Sequence, residues 1–148
     1  MRFTIRVYFL LFDEIRTSVL VSDERIAGNT YTKFPGGGLE WGEGTVECAM
    51  REAREELGQD IEVTGHFYTT DFFVASAFHA HTQVISIYYT ALLTAPQRFR
   101  TSDLMHDFRL SEVDEESFRW VRLSDIQEDQ FSFPIDQKVA GMLRRMRD

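Results

Sequence analysis

The sequence is poor in cysteine and proline and has no long apolar run. Among its 148 residues are one cysteine and three prolines. Because Cys48 cannot form an internal disulfide, we expect a fold without covalent staples in a reducing compartment, the cytoplasm. No window approaches the length of a membrane span. Asp13 and Glu14 soon interrupt the apolar N-terminus, which predicts a strand there and not a signal peptide.

Basic residues are also scarce. Lys and Arg total 16 against 24 Asp and Glu, which gives a formal net charge of −8. This balance argues against broad binding to nucleic acid or to an anionic membrane. It leaves open a small polyanion whose charge is offset by metal ions or by local arginines. The length and a 43% hydrophobic content predict a single globular domain, residues 1–148.

The hydrophobic pattern alternates between strands and helices. Apolar residues at helical spacing predict a helix over 45–57, with Thr45 as its N-cap and Gly58 at its C-terminal end. A closing helix is predicted over 134–147. Residues 23–30, 75–82 and 95–116 are expected to be connections, and Gly36 to Gly38 a turn. Strands are predicted over six segments, 3–12, 17–22, 31–34, 61–74, 83–94 and 117–123. This order favours a mixed sheet with helices packed against it.

Three carboxylates stand out on the first predicted helix. Glu52, Glu55 and Glu56 are spaced at i, i+3 and i+4, so they share one face that differs from the apolar stripe. Taken alone, such a run is usually a solvated acidic surface. The glycine triplet just upstream allows close approach of a ligand to the main chain. Oxygen ligands of this kind suit hard cations such as Mg²⁺ or Mn²⁺, which in turn bind phosphate.

The whole segment 37–59, GGLEWGEGTVECAMREAREELGQ, resembles the Nudix box, G-x5-E-x7-R-E-U-x-E-E-x-G-U, where U is a bulky apolar residue. The seven fixed positions are all occupied as the motif requires, by Gly37, Glu43, Arg51, Glu52, Glu55, Glu56 and Gly58. Two positions depart from it. Ala53 is small for a U position, and Gln59 is polar where an aliphatic residue is expected, a packing role that we assign to Ile61.

The resemblance implies a fold and a reaction. The fold is an α/β/α sandwich with a central mixed β-sheet. The reaction is hydrolysis of the diphosphate linkage in a nucleoside diphosphate joined to another group, with Mg²⁺ or Mn²⁺ as cofactor. By position, Glu52, Glu55 and Glu56 match the metal ligands and catalytic carboxylates, and the Gly36 carbonyl matches a further ligand. Glu52, or a residue outside the box, would orient water.

The remaining motif residues match structural roles. Glu43 and Arg51 correspond to an ion pair that braces the loop against the helix, while Gly37 and Gly58 are structural glycines. A further metal ligand or base is expected from an acidic cluster before the Trp120 strand. That cluster comprises Glu112, Asp114, Glu115 and Glu116, of which Glu116 and Glu115 are favoured.

Other side chains have two readings each. His79 and His81 flank a hairpin tip and are either a base or substrate contact, or exposed loop residues without a role. Base stacking is open to five aromatic residues, although most of them must be core: Tyr31, Phe34, Trp41, Phe72 and Phe73. Phosphate contact is open to three loop arginines that otherwise balance nearby acids: Arg98, Arg100 and Arg109. Cys48 is interpreted as structural.

Several functional alternatives stay open at this stage. The main rival to an enzyme is a catalytically inactive Nudix-fold module that binds or senses a nucleotide. Within the enzyme reading, the substrate is a small-molecule nucleotide derivative that the sequence does not identify. The choices are ADP-ribose, an oxidised nucleoside triphosphate, a nucleotide sugar, a dinucleoside polyphosphate and capped RNA. Assembly is equally open, with a homodimer as the alternative to a monomer.

Overall fold

The computed structural model of the protein describes residues 1–110 and 115–146, which contain seven strands and two helices. The strands are β1 (Arg2–Phe12), β2 (Ser18–Ile26), β3 (Asn29–Lys33), β4 (Gly36–Gly38), β5 (Ile61–Thr69), β6 (Thr82–Leu93) and β7 (Glu116–Arg122). The helices are α1 (Thr45–Leu57) and α2 (Pro134–Met146), and short 3-10 turns cover Phe108–Leu110 and Glu128–Gln130. Neither helix has the length and apolar character that crossing a membrane requires.

The strands form one mixed sheet with β1 near its middle. The order is β3-β2-β1-β6-β5, β4 pairs with β1, and β7 pairs with β2. Only the β1–β6 pairing is parallel among these ladders, with Arg6 opposite Ser86 and Tyr8 opposite Tyr88. Because both faces of β1 are covered, its second half reads as a continuous apolar run and not as an alternation.

The two helices lie on opposite faces of the sheet. Tyr8 and Leu10 belong to the core beneath α2, together with Val139 and Leu143. The intervening Phe9 packs beneath α1 with Ala53. This alternation follows from the two-residue period of a strand. The predicted α/β/α sandwich with a central mixed sheet is confirmed.

One predicted connection, 23–30, is wrong. Strand β2 continues to Ile26 and β3 begins at Asn29, so the segment is a hairpin whose two turn residues, Ala27 and Gly28, both have positive φ. The charged residues that suggested a loop are partnered across the sheet. Arg119 Nε lies 2.7 Å from the buried Asp23 carboxylate, and Lys33 Nζ lies 3.1 Å from Glu24.

Smaller differences concern where elements begin and end. The predicted strand 61–74 ends at Thr69, and the glycine triplet, predicted to be a turn, forms β4. The N-cap of α1 is Gly44 and not Thr45, since the Glu47 carboxylate accepts the Gly44 amide at 2.9 Å. The Thr45 hydroxyl instead bonds to the Tyr89 hydroxyl at 2.6 Å. Gly58 ends the helix in the left-handed conformation, as predicted.

Gln59, the polar departure from the motif, is buried and does not occupy an apolar niche. Its amide nitrogen donates to the Pro96 carbonyl at 3.1 Å, and its amide oxygen accepts the Arg98 backbone N–H at 2.5 Å. Ile61, also buried, packs against the α1 core. The polar residue therefore ties the 95–99 segment to the end of α1 by satisfying its main chain.

Candidate active site

The glycine strand β4 brings α1 against the sheet. A Cβ at Gly37 would lie 2.2 Å from Glu52 Oε1, so only glycine leaves room for that carboxylate. A Cβ at Gly36 would lie 2.2 Å from the Val7 carbonyl, and its φ of +151° is one that side chains rarely adopt. Gly38 has no such contact, since its nearest neighbour would be 3.7 Å away. Gly37 is therefore required by the Glu52 carboxylate, and Gly36 by the close approach of strand β1.

Arg51 joins the loop before α1 to the helix. Its Nε and Nη2 each donate to one oxygen of the Glu43 carboxylate at 2.9 Å, and Nη2 also donates to the Gly38 carbonyl at 3.0 Å. These hydrogen bonds lower the pKa of Glu43 to about 2. A bidentate pair of this kind fixes both position and orientation, which is the geometry that a bracing role requires.

The three helix glutamates have unequal surroundings. The Glu52 side chain is 13% exposed, whereas the Glu55 side chain is 56% exposed. Arg51 Nη1 donates at 3.1 Å both to Glu52 Oε1 and to the two oxygens of Glu55, and the exposed Glu55 carboxylate lies at the rim. Glu56 is directed inwards, and its Oε2 is buried with no hydrogen-bond partner among the described residues. Glu52 and Glu56 line the adjacent cavity, and Glu55 does not.

Burial dominates the acidity of the inner carboxyls. It raises the pKa of Glu56 to about 8, against the opposing charge of Lys33 and with added repulsion from Glu116 and Glu52. Burial likewise raises the pKa of Glu52 and of Glu116. At neutral pH the Glu56 carboxyl therefore holds a proton unless a cation takes the proton's place.

The acidic cluster before β7 divides into two groups. Glu116 lies near the helix carboxylates, as its mutual repulsion with Glu56 indicates, and its Oε2 accepts the Ser22 hydroxyl at 3.4 Å. Glu115 forms an exposed ion pair with Arg25 at 2.8 Å instead. Glu112 and Asp114 lie outside the described residues.

A cavity of about 700 Å³ opens beside these carboxylates. Glycines 36–38 and the inner glutamates line one part of it, together with the cations Arg6 and Lys33. Two further acids, Glu24 and Asp136, also line the wall. Asp136 is buried, and its Oδ1 accepts the Tyr88 hydroxyl at 2.6 Å. The cavity is large enough for a small organic ligand.

Three aromatic residues cluster beside this cavity. Tyr31 stacks on Phe133 with ring centres 5.3 Å apart, and Phe78 meets both rings edge-on. Phe78 and Phe133 line the cavity, and half of Phe78 is exposed. The sequence pointed to Tyr31 but missed the other two, since nothing in their local pattern separates them from core residues.

The other aromatic candidates lie elsewhere. Phe34 is fully buried in the core beneath α2, and Trp41 is fully exposed. The Lys138 ammonium lies 5.2 Å from the Phe72 ring, and Phe73 is exposed. None of these four rings is among the cavity-lining residues that the described ranges provide.

The candidate histidines and arginines separate in the same way. His79 lines the cavity, whereas His81 occupies an exposed turn with φ of +54°. Arg109 is paired with Asp107 at 2.7 Å, and Arg98 contributes its backbone N–H to Gln59. Neither they nor Arg100 line the cavity in the described part of the chain. Cys48 is buried, and burial raises the pKa of its thiol to about 12, which suits a structural role.

The sequence reasoning missed the cationic residues of the site. Arg6 interrupts the apolar strand β1, and Lys33 is a charged residue directly before the buried Phe34. Charged side chains are almost never buried without a partner. A lone arginine or lysine within such a segment was therefore the available signal.

The donor atoms are of the chemical type that a hard cation prefers, but the described residues do not form a preassembled metal site. Among the described residues, no three His, Cys, Asp or Glu side chains form a group ready to hold a metal ion. The inner donors are nevertheless carboxylate oxygens, which such ions prefer. The buried Glu56 Oε2, which has no hydrogen-bond partner among the described residues, could accept such an ion.

Comparisons with known proteins agree with this geometry. A family model for the NUDIX domain matches residues 2–140. A MutT protein from Methanosarcina mazei Go1 superposes with a TM-score of 0.71 at 17% identity, covering 99% of this chain and 96% of that one. A MutT NUDIX hydrolase from Burkholderia pseudomallei gives 0.70 at 17% identity, with 95% and 98% covered. A NUDIX hydrolase from Nitrosomonas europaea gives 0.68 at 14% identity, with 97% and 89% covered. At such identities the structural likeness shows a shared fold.

Proposed function

The chain belongs to the Nudix hydrolase family, and we propose that it cleaves the diphosphate linkage of a nucleoside diphosphate joined to another group, using a divalent metal ion. Family membership makes the protein an enzyme, a pyrophosphohydrolase that acts on phosphoanhydride bonds. The metal dependence, the roles of individual residues and the nucleotide nature of the substrate are the content of the proposal.

The observation that carries the proposal is the buried, partnerless oxygen of Glu56 in an acidic cavity. Four carboxyl groups line the cavity, on Glu24, Glu52, Glu56 and Asp136, against two cationic side chains, Arg6 and Lys33. With these carboxyls ionised, as metal binding requires, a diphosphate entering alone would meet net repulsion. A divalent cation between the inner carboxylates removes that repulsion and supplies the missing partner of Glu56.

We assign the metal shell to Glu52, Glu56 and Glu116, with the Gly36 carbonyl. Glu55 joins it once its contact with Arg51 is released. When bound, a Mg²⁺ or Mn²⁺ ion neutralises the diphosphate and lowers the pKa of water, which promotes attack at phosphorus. Glu52 is the better placed proton acceptor, because it faces the cavity and is less deeply buried than Glu56. The exposed face of Phe78 offers a stacking surface for a nucleobase.

The test is a substrate panel run separately with Mg²⁺ and Mn²⁺, with detection of released nucleoside monophosphate. We expect hydrolysis of at least one nucleoside diphosphate derivative by the natural protein. Glu56→Gln should lower kcat at least about 100-fold, the scale on which single charge-stabilising groups act in active sites. Glu62→Gln, an equivalent change at an exposed position of β5, should leave kcat unchanged. Equal activity of Glu56→Gln and the natural protein would refute the assignment.

The catalytically inactive sensor that the sequence left open is the alternative outcome that the same panel would expose. Tight binding of a nucleotide without product on any member of the panel, with either metal, would favour it. The panel includes ADP-ribose, an oxidised nucleoside triphosphate, a nucleotide sugar, a dinucleoside polyphosphate and capped RNA, so it also selects among the open substrates. A cytoplasmic location, suggested by the free Cys48 thiol, and a homodimer stay predictions.

A further inference from the structure

Two cations on the cavity wall share one tyrosine ring. Arg6 donates from Nε to the Tyr8 hydroxyl at 2.8 Å, and its guanidinium carbon lies 5.7 Å from the ring centre. The Lys33 ammonium lies 5.5 Å from the same ring centre. Both side chains line the cavity together with Glu52 and Glu56. Each is thus placed to face a ligand that occupies the cavity.

The two cations differ in how their charge is balanced. Lys33 has a carboxylate partner, Glu24, at 3.1 Å. Arg6 has none: within residues 1–110 and 115–146, no carboxylate lies within 4.0 Å of its guanidinium, and the bond to Tyr8 is its only hydrogen bond. Its Nη groups therefore have donor capacity left over. Burial opposes the charge of Arg6, but the bond to Tyr8 and the carboxylates of Glu52 and Glu56 outweigh burial and raise its pKa. The group therefore stays cationic, and its unused donors suit an anionic ligand.

The guanidinium is held ready in position. Tyr8, which accepts its Nε hydrogen, stacks on Tyr88 with ring centres 5.1 Å apart. The Tyr88 hydroxyl in turn donates to the buried Asp136. On its other side the guanidinium follows β4, since Nη1 would lie 3.7 Å from a Cβ at Gly38. A fixed guanidinium loses little conformational freedom when it binds, which increases affinity.

The ligand chemistry follows from the donor group. A guanidinium presents planar paired donors that match the oxygens of a phosphate. We propose that Arg6 is a substrate-binding residue whose Nη groups donate to non-bridging phosphate oxygens of the substrate. This proposal deepens the proposed function and rests on it. The diphosphate would be bound jointly by the cation that the carboxylates hold and by Arg6.

The test uses methylene diphosphonate, a diphosphate analogue whose carbon bridge water does not cleave. Its affinity is measured by titration calorimetry with Mg²⁺ present, for the natural protein and for Arg6→Gln. A lost charge-assisted hydrogen bond should weaken binding by about 10- to 100-fold. Arg6→Lys should recover part of the lost affinity, because it restores the positive charge but not the paired donors of the guanidinium. Arg2→Gln, at the exposed start of the same strand, should bind as the natural protein does.

A purely structural role for Arg6 predicts a different pattern. Tyr8→Phe removes the hydroxyl anchor and keeps the cation, so it should weaken binding less than Arg6→Gln does. If Tyr8→Phe has the larger effect, Arg6 acts through folding and the proposal is overturned. Unchanged affinity in Arg6→Gln, or no binding by the natural protein, overturns it as well. If Arg6→Gln does not fold, Arg6→Lys decides the question. Full affinity in Arg6→Lys overturns the proposal, because it shows that the paired donors of the guanidinium are unnecessary.

The same titration separates this proposal from the proposed function. A natural protein that binds the analogue through Arg6 but hydrolyses no member of the nucleotide panel would refute the proposed function and leave the anion site standing. A protein that hydrolyses nucleotides with unchanged analogue binding and unchanged KM in Arg6→Gln would refute only the role of Arg6. In the expected case, Arg6→Gln raises KM by the same factor as the dissociation constant.

Discussion

At the scale of single residues, the site depends on glycines that leave room for neighbouring groups. The Glu52 carboxylate occupies the space that a Cβ at Gly37 would need, and the Val7 carbonyl occupies the equivalent space at Gly36. The absent side chains let a helix carboxylate approach a sheet strand closely. Because the Glu56 carboxyl is buried, its pKa rises to about 8, so a cation must compete with a proton for this group.

Substitution of the middle glycine tests this packing. Gly37→Ala should lower kcat by at least about tenfold, because the methyl group and the Glu52 carboxylate cannot share one position, and a displaced catalytic group commonly costs that much or more. Gly38→Ala is the matched control, since its Cβ would have its nearest contact at 3.7 Å and its φ is not positive. Steady-state kinetics of the two variants decide the point. Equal rates would show that the Glu52 position does not depend on Gly37.

At the scale of elements, strand β1 connects the two layers of the molecule. Its alternating residues pack beneath α1 and α2 in turn, while its Arg6–Tyr8 segment pairs with the glycine strand at the cavity wall. The connections are held by polar anchors at element ends. Gln59 satisfies the main chain of the 95–99 segment, and Asp136 joins the first turn of α2 to Tyr88 of β6.

The Gln59 anchor makes the motif's usual apolar residue unfavourable here. Gln59→Leu should lower the free energy of unfolding by about 2 kcal/mol, because the Pro96 carbonyl and the Arg98 N–H lose their partner while partly buried. Urea denaturation measures this change. As a control, Gln97→Leu removes an exposed side chain that bonds to Trp120 and should cost less. A variant as stable as the natural protein would show that the amide is dispensable.

The contact between α2 and the sheet makes the stability of the fold depend on pH. Burial raises the pKa of Asp136 to about 6, above its value of roughly 4 in an unfolded chain. Between these values the folded state binds more protons, so the contribution of this group to stability falls as the pH rises. Asn does not titrate, and its amide oxygen still accepts the Tyr88 hydroxyl.

From pH 4 to pH 8, the free energy of unfolding of Asp136→Asn should therefore rise by about 2 kcal/mol relative to that of the natural protein. Urea denaturation at both pH values measures the difference, and the natural protein serves as the control for every other titrating group. Parallel pH curves for the two proteins would show that the Asp136 carboxyl titrates alike in the folded and unfolded states.

The sequence predicted some elements far better than others. Helix α1 was placed at its bounds because a long apolar stripe with a terminal glycine is a strong signal. The β2–β3 hairpin was missed because its charged residues owe their burial to partners on other strands, such as Arg119 for Asp23. Local pattern carries no information about such partners. Arg6 was missed for the same reason, since its significance depends on the cavity that distant segments enclose.

The same distinction between local pattern and tertiary structure applies to the site residues. Positions of the motif could be named from the sequence, but their surroundings could not. Three glutamates on one helix face looked equivalent, yet the exposed Glu55 carboxylate lies at the rim while Glu56 is buried. The choice between Glu115 and Glu116 needed the strand alternation of β7 and the position of Arg25. Burial and ion pairing, which depend on tertiary structure, set these differences.

At the scale of the whole molecule, charge determines what the protein can bind. The chain has a net charge of −8, and its cavity has more carboxyl groups than cations. A polyanionic substrate is repelled by such a molecule unless a cation accompanies it. Divalent metal is therefore central to the account, and Arg6 with Lys33 contributes only local attraction within an acidic whole.

Titration calorimetry with Mn²⁺ tests this central claim most directly. With a nucleotide product such as AMP present, the natural protein should bind Mn²⁺ and release protons, because the cation displaces the proton held by the Glu56 carboxyl, whose pKa is raised to about 8. Glu56→Gln should bind the metal much more weakly, and Glu62→Gln should bind it unchanged. Failure of the natural protein to bind Mn²⁺ or Mg²⁺, or equal binding by Glu56→Gln, would contradict the account.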